Sequence, residues 1–124
     1  MATQQTVRDR VNALVEYIKT GRILDAMTEF YAPDAQMQEN ANPPTVGLAA
    51  NIEREKQFLS YVKVWKGFAV KALAVEADVS FMESTIDFTA VDGAEVHMEQ
   101  VSVARWKDGK IVHERFYYDA SGKK

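Results

Sequence analysis

The residues of this chain able to do chemistry are carboxyls, alcohols and amides rather than thiols or clustered imidazoles. Its 124 residues include 18 Asp and Glu, two His and no Cys, which removes thiol nucleophiles, disulfides and cysteine metal sites together. Gln100 and Ser102 stand two apart among the apolar Val96, Met98 and Ala104, and alternate residues of a strand share one face. Two convergent polar groups in an apolar surround are the ordinary means of orienting a small ligand. Glu114 lies in a later alternating segment with Phe116 and Tyr118, and a further carboxyl, Glu39, ends the stretch Asp34-Ala35-Gln36-Met37-Gln38-Glu39. A carboxyl drawn into an apolar pocket has its pKa raised, and a second one beside it drives one of the pair higher still. That brings such a group toward the range in which general acids and bases work. His97 and Glu99 also share a strand face, with His113 nearby in a later strand and Asp87 expected opposite His97. They fall on the polar side of the sheet, where a structural or interface role is expected and no metal. Neither a glycine-rich phosphate loop nor a serine–histidine nucleophile pattern is present, so no cofactor is expected.

The elements that must position these groups follow from periodicity. Val7, Val11, Leu14, Val15 and Ile18 recur at helical spacing, which predicts an amphipathic helix over roughly the first twenty residues, stopped by Gly21. Ile23, Leu24, Met27, Phe30 and Tyr31 mark one face of a second, short helix with Pro33 beyond its end. An extended piece, Gln36 to Glu39, precedes the breaker cluster Asn40 to Pro44. Leu48, Ile52, Phe58, Leu59 and Val62 predict a third helix reaching Tyr61 or Val64. From Lys66 onward alternation takes over, with strands expected at about 67–76, 79–90, 94–106 and 110–119 and hairpins at Asp92-Gly93 and Asp108-Gly109. Helices first and a strand meander last define an α+β class, with the helices packed on one face of a curved sheet. No linker or repeat interrupts 1–124, so one domain is expected.

Hairpin register decides which side chains meet, because a slip of one residue turns every side chain to the other face. Three-residue loops, Val91-Asp92-Gly93 and Lys107-Asp108-Gly109, put even-numbered residues inside: Ile86, Phe88, Met98, Gln100, Ser102, Val112, Glu114, Phe116 and Tyr118 among them. The other face then carries Glu83, Thr85, Asp87, His97, Glu99, Arg105, His113 and Arg115. A two-residue Asp108-Gly109 loop competes, and it would turn Ile111, His113, Arg115 and Tyr117 inward. The first register has the more apolar inner set.

The order of elements, with Phe30-Tyr31-Ala32-Pro33-Asp34-Ala35 after the second helix and Trp106-Lys107-Asp108-Gly109-Lys110-Ile111 at the last hairpin, resembles the nuclear transport factor 2-like superfamily. Within it the chain is similar to the SnoaL-like and ketosteroid isomerase branch, over nearly its whole length. The resemblance implies a cone-shaped fold in which three N-terminal helices and a mainly antiparallel sheet enclose a pocket. Such folds host isomerases, cyclases and non-catalytic binders alike. It also implies that Glu39 falls on the isomerase's proton-transfer base. The isomerase's two oxyanion donors fall on Ser102 and near Leu14, with Tyr17 one turn further along the helix as a substitute. The acid–base residue of SnoaL-type cyclases falls near Phe116, two residues after Glu114. The expectation is therefore a small hydrophobic ligand held by Tyr17, Met37, Phe58, Phe88, Met98, Gln100, Ser102, Phe116 and Tyr118. Glu39 and Glu114 would be the catalytic pair in an isomerase- or cyclase-like proton transfer; the alternative is a binder or association module. A homodimer through the outer sheet face, where Phe81, Val101 and Val103 mix with charges, is also implied.

Bulk properties exclude other classes. A net charge of −3 and a pI near 5.4 argue against a nucleic-acid partner. No apolar stretch approaches the ~20 residues that span a bilayer. The opening Met-Ala-Thr-Gln-Gln-Thr lacks the features of a secretory signal, and the absence of cysteine fits a cytoplasmic location.

Overall fold

The computed structural model describes residues 4–119. They form helices α1 (Gln4–Lys19) and α2 (Ile23–Phe30), strands β1 (Tyr31–Glu39) and β2 (Thr45–Val46), helix α3 (Leu48–Tyr61), then strands β3 (Val62–Glu76), β4 (Val79–Ala90), β5 (Glu95–Lys107) and β6 (Lys110–Tyr117). The strands build one open sheet ordered β2-β1-β6-β5-β4-β3. Every pairing is antiparallel except β1 with β6, which is parallel. The architecture is the expected α+β arrangement of helices on one face of a curved sheet. None of these helices is long and apolar enough to cross a membrane.

The stripe Val7, Val11, Leu14 and Val15 of α1 is buried with Met27 and Phe30 of α2 against Phe68, Met82, Ala104, Trp106 and Ile111 of the sheet. Fully burying one such side chain is worth about 1.5–3 kcal/mol. Trp106 brings its indole N–H into this core and gives it to Ser80 Oγ at 3.0 Å, so the polar edge of the ring is not stranded.

Two departures from the expected elements shape the cavity and its polar groups. Tyr31, expected on the inner face of α2, is the first residue of β1, with φ −110° and ψ 140°. Ala32 precedes Pro33, and a residue before proline is driven out of helical conformation, so the chain turns straight from helix to strand with no loop. Strand β3 starts at Val62, well before position 67, and three residues of it are skipped in its pairing with β4: Lys63, Lys66 and Lys71. These bulges space the inward Val62, Trp65 and Phe68 three apart, which imitates a continuing helix.

The hairpins resolve the register. The β4–β5 loop is Val91-Asp92-Gly93, closed by Ala90 N–H to Ala94 O at 2.8 Å with Gly93 at φ 90°. It keeps Ile86 opposite Met98, Ser84 opposite Gln100 and Met82 opposite Ser102. The β5–β6 loop differs from the three-residue form. Lys107 pairs with Lys110 around Asp108-Gly109, whose φ values of 52° and 79° are those of a two-residue type I′ turn. That turn alone would send Glu114 outward. One step later Trp106 pairs with Ile111 but Arg105 with His113, leaving Val112 as an extra residue. The bulge resets the parity. Ile111 (0% exposed) and Glu114 (3%) are therefore both buried on the inner face, while His113, Arg115 and Tyr117 follow the outer one.

Helix α3 is tied down by Asn51, which is 3% exposed. Its Nδ2 lies 3.3 Å from Ala35 O, 3.0 Å from Thr45 O and 2.8 Å from Gly47 O. One amide thus joins α3 to β1 and β2. Replacing it strands buried carbonyls, so Asn51→Leu is expected to lower stability by about 1–3 kcal/mol, read as a lower urea midpoint with an unchanged slope.

Candidate functional site

A cavity of about 230 Å³ lies between the helices and the inner face of the sheet. Its body is apolar. Leu14 and Ile18 of α1, Met27 of α2, Phe58 of α3, Trp65 and Phe68 of β3, and the even-numbered Met82, Ile86 and Met98 supply the walls, with Met37 and Phe116 nearer the polar end. Among the expected ligand-holding residues, Met37, Phe58, Met98, Gln100, Ser102, Phe116 and Tyr118 line it, as do Glu39 and Glu114.

Tyr17 and Phe88 do not line it. The Tyr17 ring stands edge-on to Phe30 at 5.2 Å, beneath the Arg22 guanidinium at 4.1 Å. One turn beyond Leu14, the helix has carried it away from the cavity. Phe88 is 2% exposed and packs behind the wall, edge-on to Phe58 at 5.4 Å and Tyr61 at 6.2 Å.

Besides Asn51 and Gln100, the polar side chains lining the cavity fall into two clusters and one single residue. In the inner cluster Glu114 takes a hydrogen bond from Ser102 Oγ at 2.6 Å on one oxygen and is held by the Tyr31 hydroxyl on the other. Burial pushes the Glu114 carboxyl above its ordinary range, and the two hydrogen bonds only partly pull it back. Burial first, then the neighbouring Glu114, lifts the Tyr31 phenol well above its usual value. The cluster thus favours its neutral, proton-bearing forms, the state in which a carboxylic acid can donate to a developing oxyanion. In the outer cluster Glu39, with 40% of its side chain exposed, meets the Arg54 guanidinium at 3.6 Å and accepts from Tyr118 Oη at 2.7 Å. Burial and then Glu39 push the Tyr118 phenol up to about 12. Glu39, expected as a carboxyl desolvated among apolar groups, is instead partly exposed and paired with Arg54 at the mouth, because the turn after β1 opens to solvent there.

The single residue is Glu55 on α3, half-buried against the cavity and facing both clusters. Burial, then Glu114, then Glu39 raise its carboxyl to about 7, against a smaller opposing pull from Arg54. Sequence periodicity marks Leu48, Ile52, Phe58 and Leu59 and passes over positions 51 and 55 of the same stripe, which are Asn and Glu. A charge on an apolar stripe is the available signal. Tyr31 is hidden as a site residue because its spacing fits the face of a helix.

The imidazole of His97 lies outside the cavity on the outer face, 2.7 Å from Asp87 and 3.2 Å from Glu99. No group of three or more potential metal ligands is assembled among the described residues.

The SnoaL-like domain model matches residues 11–114, and the chain belongs to that family. A search of functionally curated proteins finds no match. Among solved structures, a proposed SnoaL-like polyketide cyclase from Mesorhizobium loti is 25% identical, covering 95% of this chain and 100% of its own at a TM-score of 0.77. A proposed isomerase from Bacillus subtilis is 19% identical with a TM-score of 0.78, covering 96% of this chain and 90% of its own. TerC, crystallised with polyporic acid, is 14% identical with a TM-score of 0.77, and the match covers 92% of each chain. The latter two establish likeness of fold.

Raised carboxyl pKa values carry a stability signature. The folded state holds the Glu55 proton more tightly than the unfolded chain, from 4.5 up to about 7. Its stabilising contribution is complete below the lower value and is lost as pH rises through the higher one. The melting temperature of the native protein minus that of Glu55→Gln is therefore expected to fall between pH 4.5 and 7, measured by calorimetry in matched buffers.

Proposed function

We propose that the cavity binds a small hydrophobic carbonyl compound and moves a proton on it, in the manner of an isomerase or cyclase. The observation that carries this is the buried carboxyl of Glu114, hydrogen-bonded to Tyr31 and Ser102 beside a cavity whose body is apolar. A buried carboxyl costs stability that hydrogen bonds only partly offset, and a neutral acid next to a phenol is a ready donor for an enolate oxygen. The isomerase donors that the sequence lacks at their usual positions are thus replaced by Tyr31 and Glu114. Met37, Phe58, Met98 and Phe116 would hold the ligand's body. Gln100 would orient it, and Glu39 with Arg54 and Tyr118 would order the mouth. Membership of the SnoaL-like family supports the same class of chemistry.

The test uses 2-tetralone, a bicyclic ketone with acidic hydrogens beside its carbonyl. Incubated with the protein in deuterated buffer, it should exchange those hydrogens faster than in buffer alone, followed by proton NMR. Glu114→Gln and Tyr31→Phe should each slow exchange by about 100-fold, the usual effect of losing one oxyanion donor. Thermal stabilisation by the ketone with exchange at the buffer rate would instead identify a binder without catalysis.

We also propose that this SnoaL-like domain works as a cytoplasmic homodimer through the outer sheet face. Phe81 (40% exposed), Val101 (38%) and Tyr117 (41%) lie there on adjacent strands, with Val101 paired to Tyr117 and Phe81 to Val103. Light scattering should give twice the 14.0 kDa chain mass, and Val101→Lys should return it to one.

A further inference from the structure

Resting on that proton-transfer reading, we infer that Glu55, and not Glu39, is the group that takes the proton from the substrate carbon and gives it back. Three carboxyls border the cavity: Glu39, Glu55 and Glu114. Two of them are already engaged at both oxygens. Glu39 holds Tyr118 at 2.7 Å and Arg54 at 3.6 Å, and Glu114 holds Ser102 at 2.6 Å and the Tyr31 hydroxyl. No hydrogen bond or ion pair engages Glu55 among the described residues. The adjacent Arg54 spends its guanidinium on Glu39 and on Thr45 Oγ1 at 3.0 Å. A base must bring a free oxygen lone pair to a C–H bond, and Glu55 has one to bring.

Its mounting suits the task. Asn51 and Glu55 are four residues apart, hence on one face of α3, and the Asn51 amide fixes that face to β1 and to the turn before the helix. Phe58, one turn further on, continues the cavity wall. On the same helix Glu53 and Lys56 point outward and pair with each other at 3.4 Å, so the two glutamates of this segment have opposite surroundings. The charged and titratable groups facing Glu55 are Glu39 and Tyr118 at the mouth, Arg54 beside it, and Glu114 with Tyr31 on the inner side. Their balance, with burial, holds the carboxyl near neutrality, where it is present in both forms at working pH.

The step balances without any co-reactant. The Glu55 carboxylate forms an O–H bond with a proton from the carbon next to the substrate carbonyl. The C–H pair becomes a C=C bond, and the carbonyl π pair moves to oxygen, which accepts a hydrogen bond from the Tyr31–Glu114 pair. Glu55 then returns the proton, either to the same carbon, giving exchange, or to the far end of a conjugated system, giving an isomer. The substrate class is accordingly an apolar ketone or a related carbonyl compound with an acidic C–H.

The experiment measures 2-tetralone exchange against pH, with ketone binding measured separately by thermal shift. The native rate should rise with pH to a plateau through an inflection near 7. Glu55→Gln should lose at least about 100-fold in rate and lose the inflection, while still being stabilised by the ketone. Glu55→Asp should recover the shape of the profile at a lower rate, and Glu53→Gln on the outer side of the helix should match the native protein. If the native protein exchanges the ketone and Glu55→Gln does so equally, or if Glu39→Gln alone abolishes the inflection, the assignment to Glu55 is overturned and the proton-transfer function stands. If the native protein binds the ketone without exchanging it, both fall. A carbon-13 titration placing the Glu55 carboxyl at the ordinary 4.5 would overturn the assignment whatever the ketone does.

Discussion

One extra residue in the last strand, Val112, governs the interior of this molecule. A two-residue turn and a sheet pleat of period two together dictate which faces β6 presents, and left to themselves they would turn its carboxyl to solvent. The bulge opposite Arg105 and Trp106 breaks that parity once. Ile111 on one side of it completes the hydrophobic core, and Glu114 on the other enters the cavity. A bulge of this kind re-aims side chains with little loss of sheet pairing, so one strand serves both the core and the cavity.

The second dependence runs through the parallel pairing of β1 with β6. It sets Met37 beside Glu114 and Glu39 beside Phe116, and so stretches the polar groups from the buried interior to the exposed mouth along one strand pair. The abrupt passage from α2 into β1 belongs to the same arrangement. Had the helix continued one more turn, the Tyr31 hydroxyl would not meet Glu114, and a carboxyl 3% exposed would have only Ser102 to satisfy it. Buried acids with too few partners are strongly destabilising. The proline at position 33 thus shapes the inner cluster through the backbone, without lining the cavity.

Most of the architecture is legible in the chain, because helical and alternating periodicities are strong where one face is buried. The even-numbered inner face of β4 and β5 comes out of the pattern directly, and so does the inward set Met98, Gln100 and Ser102. What escapes is local and geometric. Two turn chemistries fit Asp108-Gly109, and the bulge that reconciles the two-residue turn with an inward Glu114 leaves no mark in composition. The spacing of Val62, Trp65 and Phe68 fits a helix as well as a strand with skipped residues. Glu39 draws attention through resemblance, whereas its exposure depends on how the following turn opens. Glu55 carries a signal in its own stripe, but a lone acid among apolar neighbours is also what a solvated helix edge looks like.

The three skipped residues of β3 have a consequence beyond register. This strand of 15 residues is the outermost of the sheet on its side, with one row of backbone amides and carbonyls turned away from β4. Were it flat and apolar, so long a border would invite another chain to add itself as a further strand. Each of the three bulges falls on a lysine, Lys63, Lys66 and Lys71, and all three are exposed. The border is therefore bent at all three points and positively charged at Lys63 and Lys71, while Lys66 reaches back across the sheet to Glu95 at 3.0 Å. An incoming strand would find neither a straight ladder to copy nor a neutral one. The distortion that hides the start of β3 from its sequence pattern also guards the molecule against open-ended self-association.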